Sequence, residues 1–118
     1  MSIPEKSTSE MTLLRNQEEF EVLLGRVPTE KPIPLLTIIY FTAKWCQACK
    51  KLNLQDIQAV LPNASWLKCD IDVNDYTAGY CGIRNIPTFL VIREKKILGQ
   101  LGDSRTVKVV EWLKRFAE

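Results

Sequence analysis

Apolar and polar positions alternate along the chain in blocks whose periods change, and those periods predict the elements. Residues 1–10 (MSIPEKSTSE) are polar and without period, which predicts a loose tail before a single domain over 11–118. MTLL at 11–14 reads as a short strand. NQEEFEVLLG at 16–25 reads as a helix, with Asn16 as its cap, Glu19 three residues on, and Phe20, Leu23 and Leu24 on one face. Gly25 supplies the stop, and the three prolines of RVPTEKPIP mark a connecting loop.

LLTIIYF at 35–41 is nearly continuous in apolar residues, so both of its faces are expected to be covered, as in the central strand of a parallel sheet. Cys49, Leu52, Ile57, Val60 and Leu61 then follow helical spacing up to Pro62. SWLKCDID is a third strand, and Asp75 to Tyr80 a short helix with Gly82 after it. TFLVI and ILGQL are two strands joined by a tight turn near Glu94 to Lys96, hence antiparallel neighbours. A last helix is expected from Asp103 or Ser104, carrying Val107, Val110, Trp112, Leu113 and Phe116. The order β-α-β-α-β-α-β-β-α predicts an α/β fold, a central mixed sheet of about five strands flanked by about four helices on both faces.

Composition narrows the chemistry. With 118 residues, 46% hydrophobic and 25% charged, the chain is large enough for a hydrophobic core without staples. The net charge of +2 is spread among acids and bases, with no cationic stripe, so no nucleic-acid partner is expected. No segment is apolar and long enough to cross a bilayer. There is no histidine, which removes Ser-His and Cys-His nucleophile pairs and every zinc site that needs imidazole. The N-terminal residues lack a secretory apolar core, and Glu5 and Glu10 argue against a transit peptide, so the expected compartment is the reducing cytoplasm. Four cysteines there are not expected to form two structural disulfides.

The sequence FTAKWCQACKK at 41–51 places Cys46 and Cys49 where the central apolar run gives way to a helical pattern. Open α/β sheets place their working sites at the carboxyl ends of such strands. A thiolate is the reactive form, and an ordinary cysteine is about 3% ionised at neutral pH. Lowering its pKa to about 7 takes roughly 2 kcal/mol, while a helix terminus supplies about 0.3–1. The rest is expected from backbone N–H groups and the Cys49 thiol, with Lys44 adding little if exposed. Cys46 is thus expected to be an exposed attacker and Cys49, a turn deeper, a buried partner that keeps its proton. Core filling and half of a metal site are the competing readings. The metal reading needs two more ligands, and Cys69 and Cys81 lie far apart in sequence, leaving only a cluster shared between chains.

Trp45 before the pair, the βαβ setting and NIPTF at 85–89 together resemble the thioredoxin family, over about Met11 to Glu118. The resemblance implies a thioredoxin fold and a redox motif made of Trp45, Cys46 and Cys49. It implies a cis Ile86–Pro87 bond facing the cysteines, with the Ile86 backbone and Trp45 offered to an extended substrate peptide. Asp70 and Asp72 match acidic positions after the third strand, Gly102 matches a glycine bordering the substrate groove, and Cys81 falls where some eukaryotic members carry a helix cysteine. The function it implies is reduction of protein disulfides: Cys46 attacks, Cys49 resolves, and a Cys46–Cys49 disulfide remains. No cofactor is bound; NADPH acts indirectly, through a thioredoxin reductase. The chain is expected to be a monomer, with Cys81 the candidate for a disulfide-linked dimer.

Three positions depart from the family pattern. Gln47-Ala48 replaces the usual Gly-Pro and is expected to tune the reduction potential; neither residue is cationic, which argues against a strong oxidant. For this couple 30 mV corresponds to about 1.4 kcal/mol. Tyr40 stands where a buried aspartate is usual, and a phenol of pKa about 10 is a poor base, so water or Lys68 is expected to deprotonate Cys49. Leu54 replaces a kink proline, which predicts a straighter second helix. Cys69, Trp66, Trp112 and Phe116 read as packing residues. A binding module without turnover, and a disulfide oxidase or isomerase in an oxidising compartment, are the alternative functions.

Overall fold

The computed structural model describes residues 11–117. The expected tail, 1–10, lies outside the described residues. The elements run β1 (Thr12–Leu13), α1 (Gln17–Leu23), β2 (Leu36–Thr42), a 3-10 turn (Ala48–Lys51), α2 (Leu54–Val60), β3 (Ser65–Asp70), α3 (Asp75–Tyr80), β4 (Thr88–Arg93), β5 (Lys96–Gly102) and α4 (Thr106–Leu113), with a closing 3-10 turn over Lys114–Phe116. One five-stranded sheet has the order β1-β3-β2-β4-β5. β1 and β2 pair in parallel with β3, while β4 runs antiparallel to both β2 and β5. The strand with the unbroken apolar run is therefore central.

Successive side chains of a strand point to opposite faces, and β2 shows what that demands of its sequence. Ile38 and Tyr40 enter one core with Phe89, Val91, Ile57, Val109, Leu113 and both cysteines of the pair. Ile39 and Phe41 enter the other, with Phe20, Leu23, Cys69, Ala78, Leu90 and Ile92. Helices α2 and α4 cover the first face, α1 and α3 the second. Each large apolar side chain fully withdrawn from water contributes about 1.5–3 kcal/mol, so a charged residue in place of Ile38, Ile39 or Phe41 would be costly; the polar residues that β2 buries at its ends, Thr37 and Thr42, are small.

Local chemistry sets the element ends. Asn16 Oδ1 accepts the Glu19 N–H at 3.0 Å, and the Glu19 carboxylate reaches back to the Arg15 N–H at 2.7 Å. Gly25, at φ 78°, closes α1 with Gly25 N–H to Val22 O and Arg26 N–H to Glu21 O. The β4–β5 turn puts Glu94 and Lys95 at φ 52° and 74°, the handedness that matches the twist of a hairpin.

Two expectations about the helices are corrected. The segment after the cysteine pair is not one straight helix. It is a four-residue 3-10 turn, an extended Leu52 (φ −79°, ψ 143°), and then α2. The break is built by Asn53, whose side chain caps α2 through the Asp56 N–H (3.0 Å) and whose own N–H donates to Thr106 Oγ1 (2.9 Å), tying it to α4. The last helix starts at Thr106 rather than at Asp103 or Ser104. The Asp103 carboxylate instead holds the Arg105 N–H (2.9 Å) and guanidinium (3.0 and 2.8 Å), which turns the chain before the helix begins. Val107 consequently lies outside the buried stripe, at 66% exposure, and Val109 takes the core position.

Candidate active site

Strand β2 ends at Thr42, and the chain turns over Ala43 so that the Cys46 N–H donates to Ala43 O at 3.1 Å. Cys46 and Cys49 are joined by a disulfide, their Cα atoms 5.3 Å apart. The Cys49 N–H donates to Cys46 Sγ at 3.0 Å. That bond is the local electrostatic support for the Cys46 sulfur. A long helix behind it, on which the expected dipole argument depended, is absent, since only the short 3-10 turn follows directly.

The expected contrast of an exposed and a buried sulfur is also corrected. In the disulfide form Cys46 is 3% exposed and Cys49 7%. Bonding to Cys49 ties the Cys46 side chain into the same apolar cluster as Ala43, with Ile86 packed against it. Gln47, between the cysteines, faces solvent, and Ala48 is half-buried.

Trp45 is 61% exposed, a large aromatic surface beside the pair. Its indole N–H donates to Asp72 Oδ2 at 2.8 Å, and Asp72 is itself placed by its N–H donating to Asp70 Oδ1 at 2.9 Å. The expected cis bond is present at Ile86–Pro87. The Thr88 hydroxyl donates to Asn85 O at 2.6 Å, closing the turn around the proline. Gly102 pairs with Thr88 across β4–β5. A Cβ at Gly102 would stand 3.0 Å from Thr88 Oγ1 and 3.7 Å from Pro87 O, so a side chain here requires Thr88 to give by a few tenths of an ångström.

Tyr40 lies on the cysteine face of β2, buried, with its ring stacked on Phe89 at 5.0 Å and 18°. Burial pushes the phenol above its ordinary pKa, partly opposed by a hydrogen bond with the Thr42 side chain. Lys68 is its register partner on β3. Lys68 lines, with Lys44, Thr42, Ala43 and Asp70, a cavity of about 370 Å³.

The remaining two cysteines are free. Cys69 is fully buried and donates weakly to Asn74 O at 3.6 Å; burial first, then Cys81 and Asp70, push its thiol up to about 12. Cys81 caps the C-terminus of α3, and burial pushes its thiol up to about 11. Far apart in sequence, they share the core cluster on the α1/α3 face, away from the redox pair. Among the described residues, no group of three or more His, Cys, Asp or Glu could hold a metal ion.

Three residues of the site's framework were not singled out from sequence for these tasks. Asp72 was noted as acidic but not as the partner of the Trp45 indole. Asn53 carries a readable signal, since Asn-x-x-Asp is a capping spacing. The Thr88–Asn85 bond has no sequence signature, because it depends on the cis turn.

The thioredoxin family model matches residues 12–115. The chain is 32% identical to a thioredoxin H-type of Ricinus communis over 68 residues, 56% of this chain and 58% of that one. It is 27% identical to the mitochondrial thioredoxin-3 of Saccharomyces cerevisiae over 99 residues, 82% of this chain and 72% of the yeast protein. The match therefore spans less than two thirds of the Ricinus relative. The crystal structure of oxidised yeast mitochondrial thioredoxin 3 superimposes with a TM-score of 0.77 at 24% identity, covering 93% of this chain and 99% of that one. The architecture is the thioredoxin fold.

Proposed function

The chain belongs to the thioredoxin family, and from that premise we propose that it is a thiol–disulfide oxidoreductase that reduces protein disulfides through Cys46 and Cys49. The single observation that carries this reading is the Cys46–Cys49 disulfide at the end of β2, with Ile86 of the cis Ile86–Pro87 bond packed against its cluster and the exposed Trp45 next to it in the chain.

In the reduced protein, the Cys46 thiolate attacks one sulfur of a substrate disulfide. A Cys46–substrate bond forms and the second substrate sulfur leaves as a thiolate, which takes up a proton. Cys49, deprotonated, then attacks Cys46 Sγ and displaces the first substrate sulfur. Two electrons have passed to the substrate, and the protein holds the Cys46–Cys49 bond. The Cys49 N–H aimed at Cys46 Sγ stabilises negative charge on that sulfur whenever it is the attacker or the leaving group.

Trp45, Ile86, Pro87 and Gly102 form the surface that receives the substrate peptide. Tyr40 does not serve as base: its phenol is buried, stacked and raised in pKa. Water takes the Cys49 proton, and the Lys68 ammonium, on the register partner of Tyr40, favours the thiolate that results. Gln47 and Ala48 set the potential of the couple, and Lys44 modulates it. An NADPH-dependent thioredoxin reductase recycles the disulfide. The protein works as a monomer in the cytoplasm, folded as one domain over 11–118, with Cys81 the thiol through which a dimer would form.

Insulin reduction tests this directly, with dithiothreitol and separately with thioredoxin reductase and NADPH, for wild type and Cys46→Ser. Turnover with both donors, abolished by Cys46→Ser, is the expected result. Absence of turnover with either donor contradicts it and favours a binding module; turnover with dithiothreitol alone removes the reductase from the scheme.

A further inference from the structure

The cavity beside Trp45 is unused by the exchange chemistry, and its wall has a particular composition. Leu13, Leu14, Ala43 and Val73 give it an apolar lining, with Leu13 55% and Val73 68% exposed at the mouth. Arg15, Lys44, Lys68 and Asp70 supply its charges. Apolar residues open to water beside a substrate surface mark a contact that something else covers.

The hydrogen bonds decide what kind of group the charged part accepts. Glu19 holds the Arg15 guanidinium at 2.7 Å, while Asp70 accepts the Asp72 N–H and Asp72 the Trp45 indole, both neutral donors. Arg15 is thereby engaged. Lys44 and Lys68 have no hydrogen-bond or ion-pair partner among the described residues. An ammonium has three donors and no acceptor, and with Arg15 paired to Glu19 the two lysines outnumber the one lining carboxylate, Asp70, so the cavity favours a further anionic acceptor beside an apolar group.

Its position says whose. Lys44 and Ala43 directly precede Trp45, and Val73 directly follows Asp72, which fixes the indole. A peptide bonded through its cysteine to Cys46 and lying over Trp45 therefore runs into this cavity. We infer that the cavity is a substrate subsite for an acidic segment, an aliphatic side chain next to carboxylates, flanking the cysteine of the disulfide that is reduced. The inference rests on the reductase reading above and adds a preference among protein disulfides.

The test uses two synthetic peptides, each with one internal disulfide. They are identical except that the flank beyond the attacked cysteine is leucine–glutamate–glutamate in one and leucine–glutamine–glutamine in the other. Pre-reduced protein is mixed with each, and the second-order rate of peptide reduction is read. The glutamate peptide is expected to react about 5-fold faster at low salt, the ratio falling toward 1 at about 1 M salt, where the screening length is about 3 Å. The ratio, rather than either rate, separates the subsite from any effect of the lysines on the couple itself. Lys44→Gln with Lys68→Gln is expected to bring it near 1, and Leu13→Glu to lower it. Lys114→Gln with Arg115→Gln, which removes the same charge in the closing 3-10 turn, outside the cavity lining, should leave it unchanged. A wild-type ratio of 1, or a ratio that follows net charge wherever it is removed, overturns the subsite. Should neither peptide be reduced, the reductase reading fails, and titrating the labelled glutamate peptide into the oxidised protein still decides: binding lost in the double lysine variant supports the subsite, and no binding overturns it.

Discussion

The Trp45 indole N–H donates to Asp72 Oδ2 at 2.8 Å, joining the residue before the redox pair to the loop after β3. A hydrogen bond to a charged acceptor is worth about 1.5–3 kcal/mol, toward the lower end or below it at an exposed site. It holds a large, solvent-facing ring in one orientation next to Cys46 in the chain. Asp72→Ala is expected to lower kcat/KM for insulin about 5-fold, chiefly through KM, with little change in the rate of reaction with a small aromatic disulfide. Asp72→Asn, which keeps an acceptor, should recover part of the loss. Equal losses on both substrates would show that Asp72 acts on the thiols instead.

Gly102 stands where the rim beside Pro87 is tight. An alanine there brings a Cβ to 3.0 Å from Thr88 Oγ1, and that hydroxyl is fixed by its bond to Asn85 O. Overpacking of this kind costs about 1–3 kcal/mol. Gly102→Ala should lower the urea midpoint and raise KM for insulin, both measurable on one preparation. A variant with wild-type stability and KM would show that the rim yields freely.

On the proposed mechanism Tyr40 supplies no proton acceptor to the site. Tyr40→Phe keeps the stack on Phe89 and is expected to leave the pH profile of insulin turnover unchanged. Tyr40→Asp introduces a buried carboxylate near the pair, and a new inflection should appear in the same profile, at some cost in stability. If Tyr40→Phe alone displaces the profile, the phenol takes part after all.

The free thiols give the fold an alkaline limit. Their folded pKa values, about 12 for Cys69 and about 11 for Cys81, lie above the unfolded value of about 8.5. The folded state thus holds these protons more tightly. The stability this contributes is complete below pH about 8.5 and is lost as pH rises toward 11 and 12. Urea midpoints between pH 7 and 10 should fall more steeply for wild type than for Cys69→Ala, although the variant is less stable at pH 7. Parallel slopes would place the alkaline sensitivity elsewhere.

Much of this architecture was legible in the chain because particular residues have one physical use. The run from Leu35 to Phe41 is apolar on both parities, and the sheet covers both faces of it with helices. Asn16 with Glu19, and Gly25, bracket α1 by local hydrogen bonding alone. The Trp-Cys-x-x-Cys pattern and Ile86–Pro87 were likewise readable, and the fold brings them together. What escaped depends on partners distant in sequence. The break before α2 is stabilised by Asn53 reaching Thr106, fifty-three positions on, so helical spacing over Cys49 to Leu61 looked continuous. Asp103 competes for Arg105 and delays α4, which a capping rule applied to Asp103 or Ser104 does not register. Cys46 lies in the same apolar cluster as Cys49, although its place at the start of a turn reads as exposed.

The proposal that Cys46 attacks and Cys49 resolves is tested most directly by trapping the mixed disulfide. Reduced Cys49→Ser and Cys46→Ser are each mixed with insulin, quenched with acid and resolved by mass under non-reducing conditions. A covalent insulin adduct on Cys46 that accumulates in Cys49→Ser, with no adduct on Cys49 in Cys46→Ser, is the predicted outcome. Adducts formed equally by the two variants, or on Cys49 alone, would contradict it.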